Sequence, residues 1–265
     1  WGLYLKSSYD FKDLTVNSSN FIMKDEKYYF PSRNVFDIIK ETLLYEFPLF
    51  EIIQDTNKDH KNVLISGGIF ARTALYIFGN KDMISENRIE EEGGFFKSGM
   101  ERVLHENDID IYVNYKESKK FIEALVATGS FHIIDVNNPN GYNSFLDRNK
   151  IRFRVRGFIQ KKYEDFRVPI DIMITDDLPE NVVGNFDMSA AQWGFDGKSI
   201  DYYGSSENKE KFFELKCSIN EDYYSDVIKG SQIMKKRIIK YRNMGFFIED
   251  IPDVIDRVSQ SSITT

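Results

Sequence analysis

The sequence lacks the features that are typical of extracellular or membrane proteins. Of its 265 residues only Cys217 is a cysteine, so no internal disulfide can form and a reducing compartment is favoured. No apolar run approaches the roughly 18 residues of a membrane-spanning helix. Residues 1–5 are too few for a signal peptide and lack a basic region before them. We therefore expect a cytoplasmic protein without membrane contact.

The chain also has few histidines and a net negative charge. The three histidines, His60, His105 and His132, show no metal-ligand spacing, which favours ordinary roles over catalysis. The formal net charge of −7 argues against a broadly basic surface for nonspecific nucleic-acid binding. Positive charge is instead concentrated in the segments 148–167 and 229–242. Such tracts are suited to contact with phosphate groups, although the second is more typical of the solvated side of an amphipathic helix.

Hydrophobic residues make up 42% of the chain, enough for a well-buried core. Their spacing predicts an α+β fold: a small mixed β-sheet flanked by helices, followed by a C-terminal helical extension. The predicted strands are 62–66, 107–113, 131–136, 151–159 and 168–174. The predicted helices are 34–47, 69–78, 117–128, 187–193, 208–215 and 222–244. The predicted organisation is an N-terminal extension (1–60), a core (61–205) and a C-terminal helical region (206–265).

Two aspartates alternate with apolar residues in the strand predicted at 107–113. Residues two apart on a strand point to the same side, so the carboxylates of Asp108 and Asp110 lie close together. Like charges held this close repel each other unless a cation lies between them. Carboxylate oxygens on a rigid strand are suitable ligands for Mg²⁺ or Mn²⁺. The pair therefore predicts a metal site, although the same pattern also arises by chance on exposed strand edges.

A double-glycine turn follows the strand predicted at 62–66. Gly67 and Gly68 let backbone amides approach an anion closely, the following helix directs its positive end there, and Ser66 can add a hydroxyl. The turn predicts a phosphate-binding loop. The alternative is a tight strand-to-helix connection with no ligand.

A third acid, Asp171, interrupts an otherwise apolar strand downstream. It either completes a carboxylate triad able to hold two divalent ions, or pairs with a neighbouring arginine. Arg152, Arg154 and Arg156 alternate with apolar residues on the strand predicted just before it. Strand periodicity places all three guanidinium groups on one face, where they are suited to a triphosphate or an RNA backbone. A solvated face with surface ion pairs is the alternative.

The three motifs together resemble the DNA polymerase β-type nucleotidyltransferase superfamily. They are Ser66-Gly67-Gly68, then Asp108-Ile109-Asp110, then Asp171. The segment 185–204 is similar to the end of the catalytic head in the tRNA CCA-adding enzyme and bacterial poly(A) polymerase family. The resemblance covers about residues 61–205 and implies a nucleotidyltransferase-like sheet.

The motifs and the resemblance predict two sets of site residues. The predicted nucleotide-binding set is Ser66, Gly67, Gly68 and Arg72, although the family has Arg-Asp where this chain has Ala71 and Arg72. The catalytic and metal-binding set is Asp108, Asp110 and Asp171. The chain departs from the family at 183–185, where the nucleotide-contacting Arg-Arg-Asp is missing. Residues 205–265 are also too few for the family's neck, body and tail, so a complete CCA-adding enzyme is not expected.

These features predict a magnesium- or manganese-dependent nucleotidyltransferase. It would transfer a nucleotidyl group from a nucleoside triphosphate, with ATP favoured, to a hydroxyl, preferably an RNA 3′ end such as that of a tRNA. One alternative is modification of a protein or small molecule by a toxin- or defence-type enzyme. Another is a degenerate, non-catalytic protein that binds nucleotide, RNA, a protein partner or a second copy of itself.

Overall fold

A computed structural model of the protein describes residues 22–24, 27–29, 49–58, 60–72, 108–137, 150–160, 167–228 and 231–249. Its strands are β1 (Ile22–Lys24), β2 (Lys27–Tyr29), β3 (Val63–Ser66), β4 (Ile109–Asn114), β5 (Phe131–Asn137), β6 (Ile151–Gln160), β7 (Arg167–Thr175), β8 (Trp193–Phe195), β9 (Ile200–Tyr202), β10 (Lys216–Cys217) and β11 (Phe247–Ile248). Its helices are α1 (Leu49–Thr56), α2 (Tyr115–Ala127), α3 (Pro179–Gly184), α4 (Ser206–Phe213), α5 (Tyr224–Ile228) and α6 (Gln232–Asn243). The predicted α+β class is confirmed.

Seven strands form one mixed sheet in the order β5-β6-β7-β4-β3-β8-β9. The neighbours β4 and β7 are parallel, and every other pair in this sheet is antiparallel. Parallel neighbours need a long crossover, which α2, β5 and β6 supply here. The predicted mixed sheet is thus confirmed, and it is wider than the small sheet expected from the sequence.

The centre of the sheet is buried on both faces. Ile111 of β4 and Ile172 of β7 are register partners, and both are fully buried. Helix α2 turns Phe121 and Leu125, one helical turn apart, into the same core. Strands covered on both sides consist mainly of apolar residues, so a carboxylate within them is an exception that calls for a partner.

Helix α2 begins directly after β4, two residues earlier than predicted. The Asn114 side chain caps it by accepting a hydrogen bond of 3.1 Å from the backbone N–H of Lys116. At the other end Gly129 has a φ of +70°, a conformation that glycine adopts easily just after a helix. The chain therefore reverses tightly on both sides of α2 and returns to the sheet as β5.

The helix predicted at 187–193 is wrong. The chain there makes a short 3₁₀ turn at Ser189–Ala191 and then enters β8. Trp193 and Phe195 are buried and belong to a strand that pairs with both β3 and β9. Pairing with distant strands overrides the local helical pattern.

The single long helix predicted at 222–244 is also wrong. It is divided into a 3₁₀ turn (Glu221–Tyr223), α5 and α6. Ser231 has a non-helical backbone with a ψ of 121°, and α6 begins directly after it. The apolar stripe survives the break, because Val227 of α5 and Met234 of α6 are both buried.

The described residues after position 205 belong to the same buried core as the sheet. Phe212 of α4 contacts Trp193 edge-to-face, with ring centroids 5.2 Å apart, and β10 pairs in parallel with β11. One buried cluster includes side chains from β3 to β11. The domain boundary at residue 205 stays a prediction.

Several predictions lie outside the described residues. These are the helix at 34–47, most of the helix at 69–78 and most of the extension at 1–60. The start of the second helix is described, because residues 68–72 are helical. Among the described helices, none has the length and apolar character required to cross a membrane.

Candidate metal centre

The fold brings the three predicted carboxylates together. Asp110 on β4 and Asp171 on β7 are direct register partners in the parallel pair, and Asp108 precedes β4. One carboxylate oxygen from each of the three lies within 4.8 Å of the other two. The predicted acidic cluster is confirmed, and it consists of hard oxygen ligands from two adjacent strands and the residue just before one of them.

Burial makes this cluster electrostatically costly without a cation. Asp108 is exposed, Asp110 is half-buried and Asp171 is 5% exposed. Loss of contact with water, followed by the charges of Asp108 and Asp171, raises the pKa of Asp110 to about 8. Burial also raises the pKa of Asp171, although the Arg154 guanidinium opposes that rise. A divalent ion would relieve this repulsion.

Asp171 has two arginine neighbours on β6. Arg154 donates a hydrogen bond to Asp171 Oδ2, and Arg156 Nε lies 3.8 Å from Asp171 Oδ1. The sequence left open whether Asp171 joins the acids or pairs with an arginine, and the structure shows both. The buried Nε of Arg154 has no hydrogen-bond partner among the described residues, so this guanidinium keeps an unused donor beside the acids.

Arg152 does not join the other two arginines at the acids. The β6–β7 register shifts between Ile151 and Phe153, which gives β6 one extra residue at this point. Arg152 instead pairs with Asp176, and its guanidinium lies 4.3 Å from the ring centroid of Tyr115. The prediction of three guanidinium groups in one row beside the metal site is therefore wrong for Arg152.

The double-glycine turn lies directly against the acids. Gly67 has a φ of +96°, and a Cβ placed on it would come within 2.6 Å of Asp110 Oδ2. A side chain at this position would collide with the carboxylate, and the backbone conformation is strained for any residue except glycine. Gly67 therefore allows Asp110 to approach the chain this closely.

The remaining members of the predicted nucleotide-binding set differ in their surroundings. The Ser66 hydroxyl is fully buried and donates a 2.6 Å hydrogen bond to the backbone carbonyl of Trp193. This bond links β3 to β8. The hydroxyl proton of Ser66 is therefore committed to a backbone carbonyl within the fold. Arg72 is half-buried on the helical segment 68–72, and its positive charge lowers the pKa of Lys240.

Helix α6 supplies two cations that the sequence did not assign to the site. Arg237 pairs with the buried Asp187, and the charges of Arg237 and Lys240 both act on Asp110. Burial, and next the charge of Arg72, lower the pKa of Lys240. The available signal was the basic tract at 229–242, which also fits the solvated side of an amphipathic helix.

A scan against models of known protein families and a search of curated proteins both find no match for this chain. The geometry around the three carboxylates therefore carries the functional argument. That geometry is a set of hard oxygen ligands, closed on one side by a glycine turn and surrounded by arginine and lysine side chains.

We expect the metal-free protein to lose stability as pH rises toward 8, relative to Asp110→Asn. The Asp110 pKa is raised from 3.8 to about 8, so the folded state favours the protonated carboxyl. Its contribution to stability is complete below about pH 4 and disappears as pH increases through about 8. Thermal unfolding of both proteins in EDTA, from pH 5 to 9, measures this difference.

Added Mg²⁺ should reverse the trend. A metal ion binds the ionised carboxylate, so its stabilisation of the wild-type protein should grow with pH up to about 8. The Asp110→Asn protein should respond weakly at every pH. A wild-type response to Mg²⁺ that does not change with pH would contradict a buried, proton-competing ligand.

Proposed function

We propose that the protein is a metal-dependent nucleotidyltransferase. It takes a nucleoside triphosphate, with ATP favoured, and transfers the nucleotidyl group to a hydroxyl, preferably that of an RNA 3′ end, releasing pyrophosphate. The observation that carries the proposal is the meeting of Asp108, Asp110 and Asp171 beside the double-glycine turn, with ligand oxygens within 4.8 Å of one another. The nucleotidyltransferase-like character of the sheet belongs to the same proposal.

The donor set fits Mg²⁺ or Mn²⁺. Both ions prefer carboxylate oxygen, and Asp110 and Asp171 lie on adjacent strands, with Asp108 directly before the first of them. Asp108 and Asp110 would hold the metal ions, with Asp171 as the third acid. When bound, the ions would neutralise phosphate charge and lower the pKa of the acceptor hydroxyl.

The chemical step joins the acceptor oxygen to the α-phosphorus and breaks the bond from that phosphorus to the oxygen bridging to the β-phosphorus. Pyrophosphate leaves with the electron pair of that bond, and the hydroxyl proton passes to a carboxylate or to water. Positioning and charge neutralisation supply most of the acceleration in such reactions. No histidine is required, which is consistent with His132 being stacked on Phe158, 4.9 Å away, at the edge of the sheet.

The residues of the chain have separate tasks in this scheme. Asp171 orients the acceptor. Arg154 donates a hydrogen bond to Asp171 Oδ2, so the negative charge of Asp171 is available mainly at Oδ1. Gly67 and Gly68 have no side chains to cover the backbone next to Asp110, so phosphate oxygens bound there would meet backbone N–H groups. Arg156 is more exposed than Arg154 and can meet a phosphate of an RNA acceptor. The two local basic tracts support RNA over a neutral acceptor.

A non-catalytic nucleotide-binding role is the second candidate. The observation in its favour is the ion pair between Arg154 and Asp171, since the guanidinium already satisfies one oxygen of the third acid. The missing Arg-Arg-Asp at 183–185 points the same way. Such a protein would bind Mg²⁺ and nucleotide without turnover.

Label transfer should distinguish the candidates. The wild-type protein, Mg²⁺ and each of the four ribonucleoside triphosphates labelled at the α-phosphate are incubated with tRNA, with unstructured RNA or with protein. We expect label to enter RNA, most efficiently from ATP, and to remain absent when EDTA replaces Mg²⁺.

Triphosphate labelled at the γ-position provides the control. Its label should leave as pyrophosphate and never enter RNA, which separates nucleotidyl transfer from a contaminating kinase. Label entering protein would instead support the alternative acceptor. Metal-dependent nucleotide binding with no transfer to any acceptor would favour the non-catalytic role and contradict the enzyme.

A further inference from the structure

Two consecutive glycines separate a carboxylate from an ammonium group. The Cβ that Gly67 lacks would lie 2.6 Å from Asp110 Oδ2, and the Cβ that Gly68 lacks would lie 3.1 Å from Lys240 Nζ. The carboxylate therefore packs on one residue of the turn and the ammonium on the next. Opposite charges consequently flank the same stretch of backbone.

Lys240 differs from the other cations in this region. Arg154 and Arg156 engage Asp171, and Arg237 engages Asp187. Within the part of the chain that the structure describes, the Lys240 ammonium makes no hydrogen bond and no ion pair within 4.0 Å. The residue is exposed as a whole, and its ammonium lies next to Gly68.

The pattern matches the charges of a metal–triphosphate. Such a ligand carries a divalent cation beside its phosphates, which suits Asp110, and a dense negative charge on its terminal phosphates, which suits an ammonium group. Because Gly68 has no side chain, the backbone beside the ammonium is not covered by a Cβ. A lysine acts here as a point charge without the geometric demands of arginine.

We propose that Lys240 binds the β- and γ-phosphates of the nucleotide at this turn. The inference rests on the proposed function and extends it to a residue outside the segment 61–205 that resembles nucleotidyltransferases. Tyr241, the next residue, is buried and packs on Phe246, with ring centroids 5.9 Å apart, which anchors this part of α6. The C-terminal helical region thus becomes part of the nucleotide site.

Calorimetry on the full-length protein tests this assignment. The probes are Mg²⁺ alone, Mg²⁺ with inorganic tripolyphosphate, Mg²⁺ with the α,β-methylene analogue of ATP, and AMP. For Lys240→Ala we expect the affinities for tripolyphosphate and the analogue to fall about ten- to a hundredfold, as for the loss of a hydrogen bond to a charged group. The affinities for Mg²⁺ and AMP should stay close to those of the wild type.

Two further variants test the assignment of Lys240. Lys240→Arg keeps the charge and should recover part of the affinity. Lys120→Ala removes an exposed lysine on α2, away from the acids, and should bind every probe as the wild type does. Because Lys240 and Lys120 are both exposed, thermal unfolding should show all variants folded.

Three results would overturn the assignment. Equal binding of the ATP analogue by Lys240→Ala and the wild type would remove Lys240 from the site while leaving the proposed function intact. An equal loss of AMP affinity, or a loss confined to RNA, would place Lys240 away from the terminal phosphates. A wild-type protein that binds no triphosphate probe would refute both the assignment and the proposed function.

Discussion

Replacing Asp110 by asparagine is expected to reduce nucleotidyl transfer roughly a thousandfold or more, because a bound metal ion contributes several kcal/mol to such a transition state. The same loss is expected for Asp108→Asn. Both substitutions keep the size of the side chain and remove one charge from the acidic cluster. Initial rates of α-label incorporation into RNA, at saturating Mg²⁺ and ATP, measure the effect.

The fold should survive these substitutions. Asp108 is exposed, and the raised pKa of Asp110 means that its charge opposes folding of the metal-free protein. Asp55→Asn is the matched control, because Asp55 is an exposed carboxylate on α1 that pairs with Lys58. It should retain full activity. Folded Asp108 and Asp110 variants with wild-type rates would refute the metal-dependent mechanism.

Substitution of Gly67 by alanine is expected to abolish Mg²⁺ binding and to destabilise the protein. Two effects combine at this residue. A φ of +96° costs a non-glycine residue about 1–3 kcal/mol. The new Cβ would also lie 2.6 Å from Asp110 Oδ2, so the carboxylate must move away from Asp108 and Asp171. Calorimetric Mg²⁺ titration and thermal unfolding measure the two effects separately.

Gly129 offers a matched control for the strain alone. It also has a positive φ, +70°, but a Cβ placed there meets nothing within 4 Å. Gly129→Ala should therefore lower stability by about 1 kcal/mol and leave Mg²⁺ binding and transfer unchanged. If both alanine variants bound Mg²⁺ like the wild type, the close approach of Asp110 to the turn would have no role in metal binding.

The Arg154–Asp171 pair connects the two functional candidates physically. A guanidinium beside Asp171 opposes the rise in its pKa that burial causes and so favours the charged form of this acid. Arg154 occupies Oδ2, while Oδ1 faces the more distant Arg156. Asp171 can thus contribute one oxygen to a metal ion while the other stays with the guanidinium.

The acidic cluster was accessible from the sequence because strand geometry is local. A period of two places Asp108 and Asp110 on one side of any strand, whatever surrounds it. A single acid in the apolar run around Asp171 likewise marks a buried carboxylate that needs a partner. The double glycine beside them required only the recognition that a strand ends at Ser66.

The direct pairing of Asp110 with Asp171 could not be predicted from strand periodicity. It depends on β4 lying beside β7 in parallel, with this register, which the whole sheet decides. The displacement of Arg152 has a similar origin, because a one-residue register shift changes the side to which a strand residue points. Alternation alone cannot reveal such a shift.

Sequence prediction and structure differ most in the C-terminal half. Helical spacing identified the apolar residues that α5 and α6 bury, yet it could not show that Ser231 interrupts the helix or that Trp193 starts a strand. Short-range patterns therefore established the acids, the glycine turn and the buried stripes. Folding alone brought Lys240 of α6 to Gly68, because contacts between distant segments depend on how all the elements pack together.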